Sequence, residues 1–161
     1  MESSCRALLK LLEEGKIDAI GASNFSLNQI KKLRELMGVS FVTHQHEFNI
    51  FNKNENVETF QYLSESRIIK LGYSPFLGLN LLKDGSTRKE IICSLAKKYG
   101  VSLHSLVLKY LSLDTTTHLI TGSTNLRHIE ENILALDNEI EDNDVFKLDE
   151  TFLGKSKEIN C

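Results

Sequence analysis

Glu14-Gly15-Lys16-Ile17-Asp18-Ala19-Ile20-Gly21-Ala22-Ser23-Asn24-Phe25-Ser26, continued by Leu27-Asn28-Gln29, changes its hydrophobic period twice within a short span. Upstream of it, Cys5, Leu8, Leu9 and Leu12 recur at helical spacing, which predicts a helix over residues 4–14 that Gly15 stops. The run 18–23 then reads as a strand. Ser26 with Gln29 three residues later has the form of a capping box, opening a helix with Ile30, Leu33 and Met37 on its inner face and Gly38 at its end. Helix, strand, polar turn and helix make a βα unit, and the polar pair Ser23-Asn24 falls where the strand leaves the core.

The same unit recurs along the chain. Further strands are predicted over 41–48, 68–74 (halted by the only proline, Pro75) and 117–122. A helix over 54–66 places Val57, Phe60 and Leu63 inward. After a loop with Gly78 and Asp84-Gly85-Ser86, Thr87 and Glu90 suggest a capping box for a helix burying Ile91, Leu95 and Tyr99 and closed by Gly100. A second helix in that connection, 102–113, carries Leu103, Leu106, Val107 and Tyr110. Residues 125–136 turn Leu126, Ile129, Ile133 and Leu136 inward, and 142–153 do so with Val145, Leu148 and Phe152. Strands alternating with helices demand parallel pairing, so four sequential parallel strands are expected, with helices on the outer face and an extra helix before the last strand. One domain over 1–154 and a short polar tail over 155–161 are the simplest division.

Composition narrows the function classes. In 161 residues, 41% hydrophobic and 25% charged, the chain reads as a soluble globular one expected in the cytoplasm, with no targeting or membrane segment. A net charge of −3 gives no electrostatic footprint for nucleic acid. Cys5, Cys93 and Cys161 are odd in number and far apart, which argues against a disulfide framework, and no metal site is expected from them or from the histidines.

Function in parallel β/α folds sits at the C-terminal ends of strands. There the sequence offers a hydroxyl and an amide, Ser23 and Asn24, able to read a carboxamide. Gln45 and Glu47 share one strand face, with His44 and His46 on the other. Tyr73, before Ser74 and Pro75, offers an aromatic surface for a flat heterocycle. Gly122-Ser123-Thr124-Asn125 precedes a helix N-terminus, where N–H groups and the helix dipole favour a phosphate. Taken singly, each has a plainer reading: Ser, Thr and Asn cap helices and form turns without any ligand, and Gln45 or Tyr73 fits a core.

The joint order decides between these. Residues 14–25 strongly resemble a signature segment of the aldo-keto reductases; Gln45-His46-Glu47, Gly72-Tyr73-Ser74-Pro75-Phe76 and Gly122-Ser123-Thr124-Asn125 through Glu131-Asn132 resemble three more, in the family's order. The resemblance implies the C-terminal half of a (β/α)8 TIM barrel, since a complete barrel takes about 250 residues. It implies a nicotinamide dinucleotide, NADP with NAD as the alternative. Ser23, Asn24 and Gln45 then hold the carboxamide, Tyr73 with Ser74 beside it stacks on the ring, Gly122, Ser123, Thr124 and Asn125 surround the 2′-phosphate, and Glu131 and Asn132 meet the adenine. Where many members carry Lys or Arg near that phosphate, this chain has Gly122 and His128, with Arg127 adjacent. The family's catalytic Asp, Tyr, Lys and His come from its first four strands, so no catalytic residue is expected here and the chain reads as truncated. Three readings of the chain follow from this. It is one piece of an NAD(P)H-dependent aldehyde or ketone reductase that needs a complementing N-terminal half, or a non-enzymatic cofactor-sensing or interaction module, or a fragment without a selected role. Open sheet edges further predict self-association.

Overall fold

The computed structural model describes residues 2–154, so the expected polar tail at 155–161 lies outside the described residues. In chain order the elements are α1 (Glu2–Glu13), β1 (Ile20–Ser23), α2 (Leu27–Met37), β2 (Phe41–Glu47), α3 (Val57–Glu65), β3 (Ile69–Tyr73), α4 (Thr87–Tyr99), α5 (Leu103–Ser112), β4 (Thr117–Leu119), α6 (Leu126–Leu134) and α7 (Asp142–Leu153). The four strands are parallel and follow one another in the order β1-β2-β3-β4, with the extra helix between β3 and β4. The alternation predicted this order and the extra helix, and the arrangement is that of half a (β/α)8 barrel, which the family resemblance implied.

The chain divides into two compact units: the first gathers residues up to His46, Asn56–Gly72 and Thr116–His118, the second Glu47–Glu55, Tyr73–Thr115 and the residues from Leu119 on. In the first, α1, α2 and α3 meet the strands through a core of Cys5, Ile20, Ile30, Leu33, Phe41 and Leu63. Strand alternation sorts the two sheet faces. His44, His46 and Lys70 are buried on the core side, whereas Gly21, Ser23, Ile69 and His118 on the other are exposed.

Register between β1 and β2 is fixed by a close approach. Gly21 pairs with Thr43 and Ser23 with Gln45, after an irregularity between Ile20 and Gly21. A Cβ on Gly21 would stand 2.2 Å from Thr43 Oγ1 and 3.3 Å from its carbonyl oxygen. Gly21→Ala is therefore expected to cost about 1–3 kcal/mol through overpacking, read as a fall of several degrees in the thermal midpoint. An unchanged midpoint would show that Thr43 moves aside freely.

In the second unit, α4, α5 and α7 share a core that includes Ile92, Leu95, Val107, Leu111, Leu148 and Phe152. Two expectations shift here. The cap of α4 is Ser86, whose hydroxyl accepts the Lys89 N–H at 3.4 Å, not Thr87, and the buried face runs through Ile92, Leu95 and Ala96 instead of Ile91. The expected inward stripe of α6 lies exposed: Leu126 is 69% and Ile133 64% accessible, and Ile129 and Leu136 are exposed as well. Helical period identifies an apolar face but not what covers it. No single helix among the described residues is long and apolar enough to cross a membrane.

Candidate functional site

In the first unit, Ser23 and Asn24 end β1 beside Gln45 of β2. The Asn24 N–H donates to the Gln45 carbonyl oxygen at 2.9 Å. Asn24 then takes a left-handed conformation, φ 59°, which Asn tolerates better than most residues. That turn lifts the chain out of the sheet and leaves Ser23 and Asn24 exposed and Gln45 half-buried. The next amide, Phe25 N–H, donates to Nε2 of His44 at 3.2 Å. Ser26 caps α2 with both halves of the capping box formed.

In the second unit, Tyr73 closes β3 half-buried, and its carbonyl accepts the Phe48 N–H at 3.1 Å. Ser74 is exposed and left-handed, φ 55°, directly before the buried Pro75. Left-handed serine is uncommon, and such outliers gather at functional sites. A polar clasp that the sequence did not reveal follows β2: Glu47 Oε1 accepts from the side-chain amides of Asn49 at 3.0 Å and Asn52 at 2.9 Å. Spacing alone does not mark it, because the clasp depends on a turn in which Phe51 N–H and Asn49 N–H also find side-chain oxygens.

The same unit holds a cleft of about 190 Å³ lined by Phe76, His104, Gly122, Ser123, His128, Glu131 and Asn132. Gly122, Ser123, His128, Glu131 and Asn132 are thus brought together, while Thr124 and Asn125 stand outside the lining. Asn125 caps α6, accepting the Arg127 N–H at 3.0 Å, and Ser123 Oγ accepts the Asn125 N–H at 3.0 Å. The plain capping role and the cleft therefore coexist. A Cβ on Gly122 would meet nothing within 4 Å, so space beside that backbone is open to a ligand. Phe76 meets the His104 ring edge to face, 4.9 Å between centroids, forming one wall.

Charge in the cleft is modest. Arg127 Nε is paired with Glu131 Oε1 at 2.8 Å, and that bond holds the Glu131 carboxyl below the usual carboxylate range. The cleft is lined by two imidazoles, His104 and His128, and Arg127 at its border is paired with the lining residue Glu131. Each unit by itself carries groups of the kind a dinucleotide meets: the second a polar cleft at a helix start, the first an amide and a hydroxyl at a strand end. Among the described residues no group of His, Cys, Asp and Glu suits a metal ion.

Comparison with known proteins agrees with the architecture. The profile of the aldo/keto reductase family matches residues 1–152. An aldehyde reductase of Saccharomyces cerevisiae is 31% identical over 76% of this chain and 38% of its own length, and a methylglyoxal reductase of Escherichia coli is 20% identical over 94% and 54%. A thermostable aldo-keto reductase crystallised with the inhibitor epalrestat superposes with a TM-score of 0.80 at 22% identity, covering 93% of this chain and 54% of that one. An aldo/keto reductase from Brucella melitensis gives 0.73 at 26% identity, covering 93% and 54%. The chain spans about half the length of the curated relatives it matches. With the sequential parallel strands, the strand-end residues and a profile match over nearly all of its length, this chain belongs to the aldo/keto reductase family.

Proposed function

We propose that the chain carries the nicotinamide-dinucleotide surface of an NAD(P)H-dependent aldehyde or ketone reductase and does not catalyse the reduction by itself. The reading rests chiefly on the cleft, where five residues expected at the adenosine end line one open space of about 190 Å³. Ser23, Asn24 and Gln45 are assigned to the carboxamide, Tyr73 and Ser74 to the ring, Gly122, Ser123, Thr124, Asn125 and His128 to the 2′-phosphate, and Glu131 and Asn132 to the adenine. The dinucleotide, NADP by preference, supplies the hydride; the chain's residues orient it. Residues 1–154 act as one half barrel in this reading. Free thiols at Cys5 and Cys93 suit a reducing, cytoplasmic setting.

Titration of NADPH fluorescence with the purified chain tests it. Weak binding is expected, and Tyr73→Ala is expected to weaken it by about 1 kcal/mol, near fivefold, through lost stacking. No fluorescence change on adding protein would sink the reading. The partner in this proposal is a complementing N-terminal half, and without one the chain is expected to self-associate. The exposed Ile69 side of the sheet and the Leu126 to Ile133 stripe supply apolar surface for this. A compact monomer in sedimentation at tens of micromolar would count against it.

A further inference from the structure

His44 is nearly sealed, 2% exposed, on the core side of β2, and nothing assigned so far uses it. Its one hydrogen bond accounts for a specific problem in the backbone. Because Asn24 is left-handed, the chain turns away from β2 immediately after the Asn24–Gln45 bond, and the next N–H, that of Phe25, has no strand carbonyl to meet. His44 Nε2 accepts it at 3.2 Å across the β1–β2 pair. An accepting Nε2 is unprotonated, so the ring's proton is on Nδ1, which is buried without a hydrogen-bond partner among the described residues.

We propose that His44 is a positioning residue for the dinucleotide site: its neutral ring fixes the Asn24–Phe25 turn and thereby the orientation of Ser23 and Asn24. This rests on the reading that those two residues hold the carboxamide. The charged and titratable side chains on the elements beside it include His46, Lys70 and Arg34, each with contacts of its own. On its own strand His46 stacks at 5.8 Å between centroids. On β3, Lys70 is held by Ser64 Oγ at 3.1 Å and Thr116 Oγ1 at 2.7 Å. On α2, Arg34 is spent on the carbonyls of Gly38, Phe41 and Ser66. These contacts provide no carboxylate to support an imidazolium, and burial lowers the His44 pKa from its ordinary value. Protonation would cost Phe25 its acceptor, so acid is expected to loosen the turn.

The test uses two readouts on the whole chain, NADPH affinity and hydrogen-exchange protection of the Phe25 amide. In His44→Leu, which removes the acceptor, affinity and Phe25 protection are each expected to fall about fivefold, the worth of one partly buried hydrogen bond. In His44→Gln, whose side-chain oxygen can accept, both are expected to recover to within about twofold of wild type. Wild-type affinity is expected to drop on acidification more steeply than that of His44→Gln, and because burial lowers the His44 pKa the drop is expected to lie below the ordinary imidazole value of about 6.5. Should His44→Leu fail to fold, the wild-type and His44→Gln pH profiles decide, and superimposable profiles overturn the proposal. Wild-type binding with affinity and Phe25 protection unchanged in His44→Leu overturns the positioning role alone. Failure of the wild-type chain to bind NADPH overturns this role and the dinucleotide reading together, whatever the Phe25 protection shows.

Discussion

NADPH mixed with the purified 161-residue chain and a panel of aldehydes is expected to keep its absorbance, with no oxidation above the solution rate. Carbonyl reduction needs a proton donor within hydrogen-bond reach of the developing alkoxide, a contribution of roughly 10²–10⁴ in rate. The sequence contains four tyrosines. The Tyr99 hydroxyl donates to Asp144 and accepts the Glu141 N–H at 3.0 Å, so it serves the start of α7. Tyr110 has a lysine and an aspartate beside it, a combination suggestive of acid catalysis. Yet its side chain is 0% exposed, and burial together with Asp149 pushes its pKa up, away from easy proton release. Tyr73 is assigned to the nicotinamide face, which leaves its hydroxyl off the substrate oxygen. Tyr62 packs at the core of the first unit with Lys31 over its ring. Turnover by the chain alone would overturn the proposal. Turnover only with a co-expressed N-terminal half from a related barrel would favour the split reductase over the cofactor-sensing module.

The largest stability effect is expected at Tyr110. Its hydroxyl donates to Asp149 of α7, Lys53 Nζ sits 3.9 Å from its ring centroid, and the same Nζ meets Asp149 Oδ1 at 3.1 Å. One aromatic ring thus ties α5, α7 and the segment after β2 within the second unit. Tyr110→Ala is expected to cost about 3–5 kcal/mol, from a cavity plus a lost hydrogen bond. Tyr110→Phe keeps the volume and is expected to cost about 1–2 kcal/mol, because the half-open Asp149 can be rehydrated. Denaturant midpoints for the two variants separate packing from hydrogen bonding, and equal losses would contradict this account. The pH dependence has a definite sign. A phenol whose folded pKa is raised contributes stability that is present below its unfolded pKa of about 10 and fades as pH rises beyond it. Tyr110→Phe should flatten the alkaline limb.

Much of the architecture was legible because each strand is short, bounded and followed by an amphipathic run. The Ser26 capping box and the order of the strands were readable at that level, whereas the grouping of Gly122, Ser123, Glu131 and Asn132 was expected only through the family resemblance. Besides the Glu47 clasp, three things were not readable. The exposed α6 stripe has the same period a buried one would have. On α4 the expected Leu95 is buried, but Ile92 and Ala96 are buried in place of Ile91 and Tyr99, and the cap is Ser86 and not Thr87, adjacent Ser and Thr being both acceptable caps. The left-handed Asn24 and Ser74, and with them the need for His44 as an acceptor, arise from where the backbone must turn. Side-chain type at a single position does not encode that.

The loop 122–125 that leads into α6 is held by its own side chains. Ser123 Oγ accepts the Asn125 N–H, Asn125 Oδ1 accepts the Arg127 N–H, and a Cβ on Gly122 would meet nothing within 4 Å. Those bonds order the loop within the folded chain itself. For the dinucleotide of the proposed function, little further ordering would then be needed there, and modest contacts would suffice for measurable affinity. On the proposed reading Ser123→Gly would weaken binding twice over, by freeing the Asn125 N–H of its acceptor and by removing a hydroxyl assigned to the phosphate.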